Sequence, residues 1–223
     1  MEQYFETLSS CSLFSQITKE EMESMLICLG AKAMEFGKGE PVFLEGEPAK
    51  YVGVVLSGAV QIVRDDYYGN RSVITVASPS DLFAEVFSCA GVDTYPVSAI
   101  AQVRSKVMLL DCKHMLTVCS NACGFHTRLV QNLLQAVSQK SLALSRKIGF
   151  MSQKTTRQKL MAFLLDQAKL HQSNTFTIAY DRQGLADFLG VERSAMSAEI
   201  SKMRKDGVLD CKGSHFRLLQ PTA

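Results

Sequence analysis

The sequence predicts an α+β chain in which an N-terminal antiparallel β-roll is followed by one long helix and a small helical head. Three observations carry that expectation. Glycine-punctuated, alternating apolar runs fill residues 36–111, a regular apolar spacing runs from Cys123 to Met151, and two short amphipathic segments flank Gly190. At 223 residues and 47% hydrophobic content, the chain can bury real cores in one large or two modest domains.

Residues 19–29 read as a short amphipathic helix. Turn signals then recur at Gly39, Gly46, Gly58 and Gly69, and residues 51–56, 59–64, 72–77 and 107–111 between and beyond them read as strands. Turns at this spacing imply an antiparallel sandwich or barrel. Farther on the period changes. Cys123, Thr127, Val130, Leu134, Val137, Ser141, Leu144, Ile148 and Met151 alternate steps of 4 and 3. A sustained repeat of about 3.5 residues wants a partner helix that keeps facing it, the signature of a coiled-coil seam. A long helix packed only on its own domain is the simpler alternative. The seam outruns any core a small sandwich could offer, so a homodimer is expected, with polar Thr127 and Ser141 fixing its register.

In residues 181–204, Asp181 is a good N-cap, Leu185, Phe188 and Leu189 form one apolar face, and Ala186 lets a second helix approach. Gly190 permits a sharp bend. Met196, Ile200 and Met203 then mark the buried side of a second helix, whose other side shows Arg193, Ser194, Ser197 and Lys202. Such side chains can donate to base edges and phosphates, so the pair reads as a helix-turn-helix. Two packed amphipathic helices in any fold can imitate that spacing. The following residues raise the specificity: two short apolar stretches flank a polar tip at Lys212, Gly213 and Ser214, a hairpin that makes the head a winged helix. Residues 151–223 carry 11 Lys+Arg against 7 Asp+Glu, whereas the remainder carries 13 against 15. Positive charge therefore sits where a polyanion would dock. Two such heads about 34 Å apart would read a palindrome in duplex DNA.

No apolar run reaches membrane-spanning length, the first residues are acidic rather than signal-like, and seven cysteines without framework spacing suit a reducing compartment. A cytoplasmic protein is expected. No Gly-x-Ser-x-Gly elbow, phosphate loop or His-Glu-x-x-His pair occurs, which argues against an enzyme. Cys119, Cys123 and His126 share one helical face, with Cys112 and His114 upstream. They could make half of a metal site, although packed thiols are the simpler reading.

Roll, long helix and winged head together resemble the Crp/Fnr superfamily of bacterial transcription regulators. The likeness is carried by residues 36–46 and 55–63 in the roll, and by residues 181–186 and 191–197 in the head. It implies a cyclic-nucleotide-binding-like jelly roll at 1–118 that senses an effector, a long dimerisation helix at 119–150 and a C-terminal winged helix-turn-helix at 151–223. Control of transcription is the implied activity. Arg193, Ser194 and Ser197 would meet bases, and Arg182, Gln183, Lys202, Lys212 and Ser214 would meet phosphates. Activation would require a surface for RNA polymerase, which no local pattern marks.

Two departures limit the transfer. Cyclic-nucleotide members carry a Gly-Glu pair and then an Arg-Ser/Thr-Ala run. Here Ala84 precedes Glu85, and Tyr95 or Pro96 stands where the arginine is expected. Losing that guanidinium argues against cyclic AMP as the ligand, and leaves Glu85, Tyr95 and Ser145 as candidate lining for some other effector. Arg104 is a candidate substitute for the arginine, although a solvated surface position is the simpler reading. An iron-sulfur cluster is not expected either: Cys11 and Cys28 are far apart and no Cys-x-x-Cys occurs. In the reading helix, Ala198 replaces an arginine that related heads use for guanine. That change favours the rival readings of a fold kept for ligand binding or dimerisation alone; a metal- or redox-sensing regulator is a further alternative.

Overall fold

The computed structural model describes residues 4–117 and 124–219, and the chain divides into two compact units, Met1–Gln139 and Lys140–Ala223.

The first unit opens with helix α1 (Phe5–Ser9), a 3-10 turn (Ser12–Phe14) and helix α2 (Lys19–Cys28). A reciprocal cap starts α2: Thr18 Oγ1 accepts from Glu21 N–H at 3.3 Å while the Glu21 carboxylate accepts from Thr18 N–H at 3.0 Å. Eight strands follow: β1 (Lys32–Phe36), β2 (Pro41–Phe43), β3 (Tyr51–Ser57), β4 (Val60–Asp65), β5 (Arg71–Ala77), β6 (Leu82–Phe83), β7 (Ser98–Ala101) and β8 (Ser105–Asp111). They pair antiparallel in two four-stranded sheets, ordered β1-β8-β3-β6 and β2-β7-β4-β5. The expected strands are β3, β4, β5 and β8.

The apolar run of β3 follows from burial on both faces. Val52, Val54 and Leu56 join a core with α1 and α2, while Val55 faces the core between the sheets. Strand β8 repeats the pattern, with Met108 and Leu110 on one side and Val107 and Leu109 on the other. Gly53 is required where the sheet meets Phe83, because a Cβ there would lie 2.2 Å from the ring. Two short helices interrupt the roll, α3 (Glu85–Ala90) before β7 and α4 (Cys112–Leu116) after β8.

Helix α5 (Gly124–Met151) has 28 residues, a rod of about 42 Å. Leu129, Leu133 and Ala136 are buried in the roll's helical core. The seam faces elsewhere: Leu134 and Ile148 are each 67% exposed, and Leu144 is exposed as well. Val130 and Val137 are half-buried, whereas Thr127, Ser141 and Met151 are exposed; Cys123 lies outside the described residues. An apolar stripe on a helix already seated by another side is what a second helix would cover.

The second unit contains the end of α5, then α6 (Thr156–Leu170), β9 (Thr175–Thr177), α7 (Arg182–Leu189), α8 (Arg193–Lys205), β10 (Leu209–Lys212) and β11 (His215–Leu218). Its core joins Phe150, Leu160, Phe163, Leu185, Leu189, Met196, Ile200, Met203 and Phe216. Asp181 caps α7 by accepting from Gly184 N–H at 2.7 Å, and Gly190 ends it at φ 61°. The expected hairpin is β10–β11, and β9 pairs with its outer edge to give the order β10-β11-β9. No helix among the described residues is long and apolar enough to cross a membrane.

Candidate nucleic-acid interface

Helix α8 turns Met196, Ile200 and Met203 inward, all buried. Its outward side shows Arg193, Ser194, Ala195, Ala198, Ser201, Lys202 and Lys205, all exposed, with Ser197 half-buried at the margin. At 100° per residue, Ser194, Ala198, Ser201 and Lys205 lie in one row along the centre of that side. Small side chains at Ser194, Ala198 and Ser201, over about two turns, leave the helix slim enough to enter a groove. Ser201 and Lys205 were not singled out from the sequence, although helical spacing alone marks them as neighbours of Ser194.

Charge is sorted on this surface. Arg157 of α6 reaches Asp206 at 2.7 Å and Glu199 at 3.4 Å, and Arg204 Nε donates to Asp210 at 3.0 Å. Those carboxylates are thus paired within the unit. Arg193, Lys202, Lys205 and Lys212 form no ion pair among the described residues. Between α8 and the hairpin lies an open groove of about 460 Å³ lined in part by Ser201, Arg204, Lys205 and Arg217.

The other named side chains are already engaged. Arg182 lies over the Phe216 ring, 5.0 Å from its centroid, and donates to Cys211 Sγ at 3.2 Å. Ser214 Oγ donates to the Tyr180 carbonyl at 2.8 Å, and Ile178 N–H donates to the Ser214 carbonyl at 3.0 Å. These contacts fix the hairpin against the start of α7. Gln183, exposed, donates to Asp187 on its own helix at 2.8 Å.

In the roll, Glu85 and Tyr95 are both buried, at 1% and 2% exposure. Ala84, the N-cap of α3, holds φ 65°, a left-handed geometry that glycine adopts without strain. The Tyr95 ring stacks on Phe43 with centroids 3.8 Å apart, and burial pushes its phenol above the usual range. Arg104 is exposed and paired with Glu35 at 3.0 Å. Ser145 is exposed on the α5 segment that belongs to the second unit. His126 is buried with Nε2 3.2 Å from the His114 carbonyl oxygen. Cys119 and Cys123 lie outside the described residues, and among those described no group of three or more His, Cys, Asp or Glu could hold a metal.

Residues 33–122 match the cyclic nucleotide-binding domain family, and residues 158–223 match the Crp-like helix-turn-helix domain family. The transcriptional activator protein Anr of Pseudomonas aeruginosa is 22% identical over 218 residues, covering 96% of this chain and 86% of that protein. Among solved structures, DNR from Pseudomonas aeruginosa aligns at TM-score 0.52 and 22% identity, covering 99% of this chain and 95% of the other. The c-di-GMP responsive global regulator CLP from Xanthomonas campestris aligns at TM-score 0.54 and 18% identity, covering 90% and 98%. The structural likenesses establish the fold. With both family modules present in this order on one chain, the protein belongs to the Crp/Fnr superfamily of transcription regulators.

Proposed function

We propose that this protein is a sequence-specific DNA-binding transcription regulator that works in the cytoplasm as a homodimer. The observation that carries the reading is the outward side of α8, where small residues are flanked by cations that no internal carboxylate neutralises. Arg193, Ser194 and Ser197 would read base edges, and Ala198 offers only a methyl for thymine. Lys202, Lys205 and Lys212 would hold phosphates, with Gln183 beside them. Arg182 and Ser214, bound to Cys211 and Tyr180, would act chiefly by positioning the wing. The exposed seam residues Leu134, Leu144, Ile148 and Met151 support pairing of two copies through α5.

The roll would sense a small effector other than cyclic AMP, with Glu85 and Tyr95 as lining. A cyclic phosphate needs a buried cation to offset its desolvation, and among the described residues no arginine or lysine is buried.

The test is a gel-shift series with the full-length protein on the DNA upstream of its own coding region, run across salt concentrations. Binding should weaken steeply as salt rises and should exceed that to scrambled duplex by at least about 10³-fold. Affinity indifferent to both salt and sequence would overturn the reading.

A further inference from the structure

Helices α3 and α4 bring two thiols together beside the buried carboxylate of the roll. Cys89 Sγ and Cys112 Sγ lie 3.6 Å apart, within hydrogen-bond reach, and both cysteines are free. Cys112 is buried in the core that α1, α2 and α5 share, while Cys89 is half-buried at its margin. The neighbourhood is held by the backbone of β3 and the residue before it. Cys112 N–H donates to the Lys50 carbonyl at 3.0 Å, and Ser88, adjacent to Cys89, donates to the Tyr51 carbonyl at 2.9 Å.

We propose that Cys89 and Cys112 form a reversible dithiol–disulfide site oxidised by hydrogen peroxide. Closing the bond, about 2.05 Å long, needs the sulfurs to approach by about 1.5 Å. The hydrogen bond from Cys89 holds the Cys112 thiol below its usual range against the opposing effect of burial, and the same pairing, with burial, pushes Cys89 up. We assign Cys112 as the attacking thiol because Cys89, 3.6 Å away, can donate a hydrogen bond to its thiolate. Its thiolate attacks one peroxide oxygen, the O–O bond breaks, and Cys112 becomes a sulfenic acid as hydroxide leaves. That hydroxide takes the Cys89 proton and becomes water. The Cys89 thiolate then attacks the Cys112 sulfur, the S–O bond breaks, and the departing hydroxide takes up the proton that Cys112 had released. Two thiols and one peroxide give one disulfide and two waters, the peroxide accepting both electrons.

The link would join α3, whose first residue is Glu85, to α4. Cys112 and Met115 of α4 share a core with Leu129 and Leu133 of α5, so the sulfur oxidation state bears on how α5 is seated. The sulfur chemistry is independent of DNA binding, and the two can fail separately.

The experiment uses reduced full-length protein treated with graded hydrogen peroxide, alkylated, digested without reductant and mapped by mass spectrometry. A Cys89–Cys112 cross-linked peptide is expected, in protein that runs at monomer mass on a non-reducing gel and regains both thiols with dithiothreitol. In Cys89→Ser, where the resolving thiol is missing, a dimedone adduct is expected on Cys112. Wild-type protein in which both cysteines stay alkylatable after exposed Cys28 has been oxidised would overturn the proposal. So would a cross-link from Cys112 to any other cysteine.

Discussion

The Tyr95 hydroxyl spans the backbone of Tyr51, donating to its carbonyl at 2.6 Å and accepting from its N–H at 2.9 Å. One phenol thus satisfies a donor and an acceptor of β3, from one of the two positions, 95 or 96, where the family resemblance called for an arginine. Tyr95→Phe keeps the ring on Phe43 but leaves the Tyr51 N–H without that acceptor. The variant should lose about 1–3 kcal/mol of stability in urea unfolding while its far-UV circular dichroism stays native. Wild-type stability in Tyr95→Phe would mean that water replaces the hydroxyl.

Gly53 has no room for a side chain, since the Phe83 ring occupies the space. Gly53→Ala should destabilise the roll by about 1–3 kcal/mol, the usual cost of forcing extra atoms into a packed core. Adding Phe83→Leu should recover part of that loss, although the same change alone destabilises. A double-mutant cycle measured by thermal unfolding would show the coupling.

Asp111 links β8 to α4. Burial works against its charge, but Lys50 at 3.2 Å and the amide N–H groups of Lys113 and His114 outweigh it and hold the carboxyl below the usual carboxylate range. A lowered folded value contributes stability above the unfolded value near 3.9, and that contribution disappears as pH falls through the folded value. Stability should therefore decline on acidification below about pH 4, and Asp111→Asn should flatten that limb while lowering stability at neutral pH. Asp111→Ala, which also removes the cap, should cost about 0.5–2 kcal/mol.

The α5 seam should respond to charge. Leu134→Glu and Leu144→Glu put carboxylates on a stripe exposed in the single chain, so each subunit should still fold. Sedimentation should show the wild type as a dimer and the double variant as a monomer. A wild type that sediments as a monomer at working concentration would remove the dimer from the proposed function.

On DNA, Arg193→Ala should cost about 1–3 kcal/mol and relax preference at one base position. Lys202→Ala and Lys205→Ala should weaken all sequences alike and each reduce the salt slope by about 1. Fluorescence anisotropy on a set of single-base operator variants separates the two patterns.

How much of this was legible in the sequence depends on where the determining contacts lie. Helices α2, α7 and α8 and strands β3, β4, β5 and β8 announce themselves through local period, caps and glycine turns. Strands β2 and β6 hold three and two residues, too few for any alternation to register. Strand β9 is defined by its pairing to β11, about forty residues away, and nothing local marks it. Helix α6 was readable: Thr155 and Gln158 form a reciprocal cap whose spacing is plain in the chain. At the interface, the outward residues of α8 follow from helical geometry. The engagement of Arg182 with Cys211 and of Ser214 with Tyr180 does not, since the partners lie 29 and 34 residues away and meet only when the hairpin folds back.

Arg157 belongs to α6 rather than to the reading helix, yet it sets what the reading residues work against. Two of the acids around α8, Glu199 and Asp206, would repel an approaching polyanion, and this single guanidinium from a neighbouring helix screens both. Masking built into the fold persists when mobile counterions are diluted or exchanged. A neutral substitution at Arg157 would therefore behave as though one negative charge had been added beside α8, spread over Glu199 and Asp206.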